Sequence, residues 1–236
     1  MVTVSVWPLA VSAARLATLN AVLSADEQVR AGKIKLGSVA QEFVISRAIT
    51  REVLASACGC APTEIVFAAN PRGKPRLVSP SSPIAFNLSH SGGYCALAVG
   101  AFPAIGVDIE ALRSNVGDLA KNVFSTHEAA IYAAVPPANR MRVFFRGWVA
   151  KEAYLKATGD GLAGGLKSVE FDLAIGPNIG ATAVRGSTTE LQRWQFRVFN
   201  VHDTIFGAVA VEASDPTIQL VIRIVDAEKP FGAGPS

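Results

Sequence analysis

Only three cysteines and three histidines occur in 236 residues. So few thiols, and an odd number of them, exclude the disulfide framework of a small secreted domain and point to a reducing, cytoplasmic setting. Cys58-Gly59-Cys60 brings two of them close, but zinc needs further ligands nearby and the sequence offers none. The pair reads as packing or helix-end residues. Charge is sparse too: Asp, Glu, Lys and Arg make up 17% of the chain and the net charge is +3. That is far from the basic stripe of a nucleic-acid binder, yet it suits an anionic ligand or an acidic partner. Long apolar runs are missing, which argues against a membrane span. The apolar stretch Val2 to Leu23 has no basic start and is broken by Pro8, Arg15 and Asn20, so it reads as a strand and a helix rather than a signal peptide. Half of the residues are hydrophobic, enough for a real core, and the length allows one large domain or two small ones.

Local patterns give the organisation. Val2 to Trp7 alternates like a strand, and a helix is predicted over about Ala10 to Leu23. Ser24 and Glu27 have the spacing of a capping box and open a helix carrying Arg30, Lys33 and Lys35. A long helix runs from Ser38 to Ala57 and stops near Gly59. Ile65 to Ala68 reads as a strand and Asn70 to Gly73 as a turn. Ile84 to Leu88 and Tyr94 to Val99 form a hairpin across Ser91-Gly92-Gly93, and Ile105 to Ile109 is another strand. The second half repeats the plan. Short helices cover about Val116 to Val123 and Thr126 to Ala134. Pro136-Pro137 opens a long helix that ends at Gly159. Strands follow near Val169 to Leu173, Trp194 to Asn200, Ile205 to Val211 and Gln219 to Ile224. A faint echo links the halves: His90 is followed by Ala96, Ala98 and Val99, and His202 at the same offsets by Ala208, Ala210 and Val211. The expected fold is α+β, with two similar subdomains (1–104 and 105–228), each a long helix on an antiparallel sheet, related by a pseudo-twofold. A Gly/Pro-rich mobile tail (229–236) follows. A cleft between two such halves is a favoured ligand site.

Three segments carry the chemistry. Asp108 and Glu110 are two apart at a strand end, so they share a face with Cβ atoms roughly 6.5–7 Å apart. Both can reach one cation, and two like carboxylates in apolar surroundings are costly unless neutralised. A solvated strand end is the plain alternative. Glu152 and Lys156 are spaced i,i+4 on the second long helix, where an ordinary helix ion pair is the plain alternative. The functional alternative makes Glu152 a third metal ligand or a general base. Lys151 and Lys156 cannot both point with Glu152, and Lys156 is the better cleft candidate. His90 sits at a strand-to-turn boundary between Ser89 and Ser91 and before two glycines, where imidazole, hydroxyls and backbone N–H groups can hold phosphate. A nucleophilic Ser89–His90 pair is poor, because adjacent strand residues face opposite ways. Arg47, Arg51 and the basic turn at Arg72 to Lys74 are further phosphate candidates or solvated faces.

Gly73-Lys74-Pro75, Phe86-Asn87-Leu88-Ser89-His90-Ser91, Gly106-Val107-Asp108-Ile109-Glu110 and Trp148-x-x-Lys151-Glu152-Ala153-x-x-Lys156 together resemble the signature set of the 4′-phosphopantetheinyl transferases. The likeness is to the long, pseudodimeric Sfp-like type. The resemblance implies an Mg²⁺-dependent enzyme (Mn²⁺ as a substitute) and a monomer. It would transfer phosphopantetheine from coenzyme A to a serine of an apo acyl or peptidyl carrier protein and release adenosine 3′,5′-bisphosphate. It implies Asp108, Glu110 and Glu152 as metal ligands and Glu152, Lys156 and Asp108 as catalytic residues. Arg47, Lys74, Ser89, His90 and Lys156 would bind coenzyme A. Arg30 and Lys33 align loosely with residues contacting its 3′-phosphate, and Glu128 resembles a family acidic position that helix-start charge also explains. The attacking serine would belong to the partner. The alternative is a metal-dependent phosphohydrolase acting on coenzyme A or nucleotides. A coenzyme A or nucleotide sensor without catalysis would not need three carboxylates.

Overall fold

Helix ends lie where local chemistry puts them. In a computed structural model, residues 1–70, 73–113, 119–159, 161, 165–173 and 179–232 are described. Strand β1 (Val2–Pro8) leads to helices α1 (Ala13–Val22), α2 (Ala25–Lys33) and α3 (Gly37–Cys58). The predicted capping box opens α2: Ser24 Oγ accepts from the Glu27 amide, and Glu27 accepts from the Ser24 amide. α3 stops at Gly59, whose φ of 69° only glycine adopts without strain. Strands β2 (Val66–Ala69), β3 (Pro75–Ser79), β4 (Ala85–Ser91) and β5 (Tyr94–Gly100) complete the first half. The second half runs β6 (Ile105–Ala111), α4 (Leu119–Val123), α5 (Thr126–Ala134), α6 (Pro137–Thr158), β7 (Val169–Asp172), β8 (Gly180–Val184), α7 (Thr188–Leu191), β9 (Trp194–His202) and β10 (Ile205–Glu212), with β11 (Leu220–Ile224) last. α6 opens on the predicted prolines and, like α3, has 22 residues and a left-handed glycine, Gly159, at its end.

The two halves repeat each other in topology. One sheet has the order β11-β1-β5-β4 and the other β6-β10-β9, while β2-β3 and β7-β8 are separate hairpins in equivalent places. The His90 and His202 echo falls on equivalent hairpins: His90 lies one residue before the end of β4 and His202 ends β9, and the alanines that follow lie on β5 and β10. The two tips meet where the Tyr94 and His202 rings stand 5.3 Å apart.

Four layers follow from three apolar clusters. α1 and α3 pack on one face of the first sheet through Leu19, Ile45, Ile49, Leu54 and Trp7. The two sheets pack together through Val4, Val6, Ala96 and Ala98 against Ile105, Val107, Ile109 and Val209. α6 covers the outer face of the second sheet through Phe144, Val149, Ala153 and Tyr154 against Phe206, Ala208 and Ala210. Gly106 sets how closely α6 can lie: a Cβ there would stand 2.0 Å from the Ala153 carbonyl oxygen and 2.4 Å from the Ala157 amide.

Three expectations need correction. β11, placed by sequence in the second half, pairs parallel with β1, Val2 opposite Leu220 and Val6 opposite Ile224. The boundary at 228 therefore does not follow the sheets, and the first sheet is not purely antiparallel. The expected mobile tail is partly anchored. Arg15 is buried and donates from Nη2 to both Glu52 oxygens and the Lys229 carbonyl, and from Nε to the Ala227 carbonyl. The Phe231 amide donates to Glu52, and the Phe231 ring packs on the first core. Residues 233–236 lie outside those described. β3 and β8 are strands that pattern alone did not predict, because neither shows an apolar alternation. The helix expected from Val116 begins, among the described residues, at Leu119, and the turn residues Pro71 and Arg72 also lie outside them.

Candidate active site

Strands β4 and β6 border each other without a backbone ladder. The join is made by side chains at every second residue of β4. Asn87 Oδ1 accepts from the Val107 amide at 2.9 Å, Ser89 Oγ from Ile109 at 3.2 Å, and Ser91 Oγ from Ala111 at 3.1 Å. The two serine hydroxyls then turn their protons to the neighbouring carboxylates. Ser89 donates to Asp108 Oδ1 at 2.9 Å and Ser91 to Glu110 Oε2 at 2.8 Å. The seam between the sheets thus fixes both acids. Asn87 had no assigned role in the sequence reading, and Ser91 was read only as a hydroxyl that could hold phosphate. The signal that marks them is a polar period of two in a strand whose neighbours are apolar.

α6 brings the other two groups. Because Gly106 lets the helix lie against β6, Lys156 Nζ reaches Asp108 Oδ1 at 2.7 Å and Ser89 Oγ at 2.8 Å. Glu152, one turn earlier, faces the same acids. Asp108 is 4% exposed, and its second oxygen, Oδ2, is buried with no hydrogen-bond partner. Burial raises the Asp108 pKa, opposed by Lys156 and Ser89 and reinforced by Glu110. The Glu152 carboxyl is pushed up to about 7, first by burial and then by Asp108, with Glu110 adding to it against Lys156. Three carboxylates thus crowd one region with a single ammonium among them. The donor set and the orphaned Asp108 oxygen suit a hard divalent cation. In the arrangement described, however, Lys156 holds Asp108, Ser91 and Arg113 hold Glu110, and no group of three Asp, Glu, His or Cys side chains among the described residues is gathered tightly enough to hold an ion.

The raised Glu152 pKa sets a testable pH dependence. A carboxyl that binds its proton more tightly folded than unfolded stabilises the fold below its ordinary pKa of 4.5, and that contribution is lost as pH rises through about 7. In metal-free buffer, scanning calorimetry from about pH 5 to pH 8 should show the wild type losing melting temperature relative to Glu152→Gln. Parallel curves would mean that neither burial nor the neighbouring acids raise the Glu152 pKa.

The opposite face of β4 lines a different space. His90 and Leu88, together with Arg30, Phe43, Ser46 and Arg47, border a groove of about 330 Å³ between α2, α3 and β4. Arg47 lies over the Phe67 ring at 4.9 Å and near Glu27 at 3.5 Å, and burial lowers its pKa. Arg30 stacks on Phe43 at 5.1 Å. Aromatic platforms hold these guanidiniums while leaving donors for an anion. Lys33 is exposed. Arg51 is structural: it is buried, paired with Glu27 at 2.8 Å, and donates to the Pro62 and Ile65 carbonyls.

Two other residues sit elsewhere. Lys151 and Glu128, each fully buried, form a 2.8 Å pair. Glu128 also closes the α5 cap and accepts from the Phe171 amide, while Lys151 donates to the Leu166 and Val169 carbonyls. They tie α5 and α6 to β7 and stand outside the cluster. Lys74, expected to bind the ligand, points away from the groove into the end of α6.

Carboxylates beside a lysine thus lie on one face of β4, and a groove with guanidinium and imidazole groups lies on the other. Comparison with known proteins gives the family. The family description "4′-phosphopantetheinyl transferase superfamily" matches residues 104–212, and "4′-phosphopantetheinyl transferase, N-terminal" matches residues 9–101. The 4′-phosphopantetheinyl transferase HetI of Nostoc sp. is 38% identical over 180 residues, 74% of this chain and 75% of that protein. The 4′-phosphopantetheinyl transferase of Bacillus subtilis is 32% identical, over 61% of this chain and 64% of its own length. The human L-aminoadipate-semialdehyde dehydrogenase-phosphopantetheinyl transferase is 27% identical, over 87% and 72%. The chain belongs to the 4′-phosphopantetheinyl transferase superfamily. The phosphohydrolase alternative finds no support among these relatives, whose names are those of transferases.

Proposed function

We propose that this protein transfers 4′-phosphopantetheine from coenzyme A to a serine of an apo acyl or peptidyl carrier protein, with Mg²⁺ or Mn²⁺ held by Asp108, Glu110 and Glu152. The observation that carries this reading is the seam itself, which fixes Asp108 and Glu110 on one face of β4, with Lys156 bound to Asp108 and Glu152 close enough for the acids' charges to add to the burial that raises its pKa, while the other face of β4 lines a groove that carries His90, Arg47 and Arg30. A donor with phosphates at two places along its length suits such a divided site. The groove takes the outer phosphate, and the acids with Lys156 take the pyrophosphate. A bound divalent ion would neutralise the charge that develops on the pyrophosphate as the bond breaks.

The chain's own residues do the rest. Glu152, with its raised pKa, is the group best placed to take the proton from the carrier serine as that oxygen attacks the β-phosphorus. The phosphoanhydride bond breaks, and adenosine 3′,5′-bisphosphate leaves. Lys156, released from Asp108, offsets charge on the transferred group. Ser89, expected from the resemblance to bind coenzyme A, acts instead through Asp108, which its buried hydroxyl holds, and Ser91 acts through Glu110. Both halves of the site come from one chain, which supports a monomer as the working form, and the thiol-poor composition supports a cytoplasmic setting.

The test is to mix the protein, coenzyme A, Mg²⁺ and a panel of apo carriers and weigh each carrier. Gain of a phosphopantetheine mass, absent for a carrier whose serine is alanine, supports the reading; no gain across the panel overturns it. His90→Ala should raise KM for coenzyme A by about tenfold or more, the worth of a hydrogen bond to a charged group, with kcat little changed. A fall in kcat at constant KM would place His90 at the reacting phosphate instead.

A further inference from the structure

Lys74 is the feature that the proposed chemistry leaves unused. It starts from the loop after β2, and its ammonium crosses to the other half. There Nζ donates to three carbonyl oxygens: Ile105 at the start of β6 at 3.1 Å, Ala157 at 3.1 Å, and Lys156. An ammonium has three protons, so all of its donors are filled. The last carbonyls of a helix lack intrahelical partners and carry the negative end of its dipole, so a cation there meets two needs at once. The supporting loop is itself fixed: the Lys74 amide donates to Asn70 Oδ1, and the Asn70 amide donates to the Lys74 carbonyl. The Lys74 stem lies within 3.9 Å of where a Gly159 Cβ would be, just past the helix end. Burial pulls the Lys74 pKa down to about 8, while three carbonyl dipoles act to keep the proton on.

We propose, on the reading that this chain is a phosphopantetheinyl transferase, that Lys74 is a positioning residue that clamps the last turn of α6 and so sets where Lys156 stands. The same residue whose carbonyl Lys74 holds sends its side chain to Asp108 and Ser89. Clamping the backbone at Lys156 and Ala157 fixes the root of that side chain, and the Ile105 carbonyl ties the clamp to the strand that carries Asp108. Lys74 thus joins the first half to both catalytic elements of the second without touching the ligand. This replaces the expectation that its ammonium binds coenzyme A.

The two roles have opposite kinetic signatures. A clamp acts on the reacting geometry, where small misplacements are costly. Lys74→Met should therefore lower kcat by about ten- to a hundredfold while KM for coenzyme A changes less than about twofold. In a double-mutant cycle, Lys74→Met should slow a Lys156→Met background little or not at all, since the group it positions is gone. Lys74→Arg, which keeps charge and donors, should recover part of the rate. Hydrogen exchange at the amides of residues 155–159 should quicken in Lys74→Met and recover partly in Lys74→Arg. A rise in KM at constant kcat, a multiplicative double mutant, or unchanged exchange would each overturn the clamp. The exchange measurement needs no turnover. Inactive wild-type protein would thus sink the proposed function while exchange still judges the clamp.

Discussion

Asp108→Asn should reduce turnover by about a thousandfold or more, the scale of losing a charge-stabilising group in a site of this kind, and leave the melting temperature unchanged or slightly higher. The expectation rests on how differently the two carboxylate oxygens are used. Oδ1 accepts from Ser89 and Lys156, and an amide oxygen can accept both bonds. Oδ2 is buried and unpartnered. The asparagine amide must then turn its NH₂ toward the position of Oδ2, so a group that could have faced a cation becomes a donor that repels one. The cost of burying a charge falls at the same time, since burial already raises the Asp108 pKa. Titration with Mn²⁺ should show weakened binding alongside the rate loss, and circular dichroism should show an unchanged fold. Turnover within about tenfold of wild type would remove Asp108 from the metal site and the catalytic group.

Gly106→Ala is the second large effect, and it falls on stability. The added methyl group would meet the Ala153 carbonyl at 2.0 Å and the Ala157 backbone at 2.4 and 3.0 Å. All of these are main-chain atoms of α6, which cannot rotate aside as a side chain can. The helix must lift from β6, at a cost of about 3 kcal/mol by analogy with overpacked cores. The lift also carries Lys156 and Glu152 away from Asp108, so activity should fall beyond what the unfolded fraction explains. Gly32→Ala is the control. Nothing lies within 4 Å of a Cβ there, the residue is inside α2, and the substitution should stabilise by about 0.5–1 kcal/mol. Urea melts of the two variants settle the matter: equal midpoints would mean that α6 is not seated on Gly106.

What was legible in the sequence was mostly local. Ser24 with Glu27, Pro136-Pro137, Gly59 and Gly159 announce helix ends because capping is decided within a few residues. The Gly92-Gly93 turn, with φ of 59° and 78°, announces the β4–β5 hairpin for the same reason. Asp108 with Glu110, and Glu152 with Lys156, could each be placed on one face by periodicity alone. What escaped depends on contacts far apart in the chain. Lys74 meets the end of α6 more than eighty residues later, so no spacing rule could show that its ammonium is filled by carbonyls. Ser91 looked like a turn residue because its partner, Glu110, lies on a strand that is not hydrogen-bonded to its own through the backbone. Glu128 read as a helix-start charge and Lys151 as a lysine pointing away from the cleft, and the two are a fully buried pair. β3 begins with Pro75 and carries Arg76, a composition that reads as loop until Phe67 and Leu77 are seen paired across the hairpin.

The pairing of β11 with β1 has a consequence for how the chain reaches this structure. Val2 and Leu220 are neighbours in the sheet but are separated by nearly the whole sequence. One side of β1 therefore stays open on the ribosome until the last strand has been made. Closing so large a loop before its contacts reward it is slow. The helical layers and local hairpins can form while synthesis continues, but the first sheet is completed only once β11 has been made. In that interval β1 presents an unpaired, apolar edge, Val2, Val4 and Val6, of the sort that invites association with another chain. Late closure of that edge, rather than formation of either long helix, is then the folding step most exposed to association.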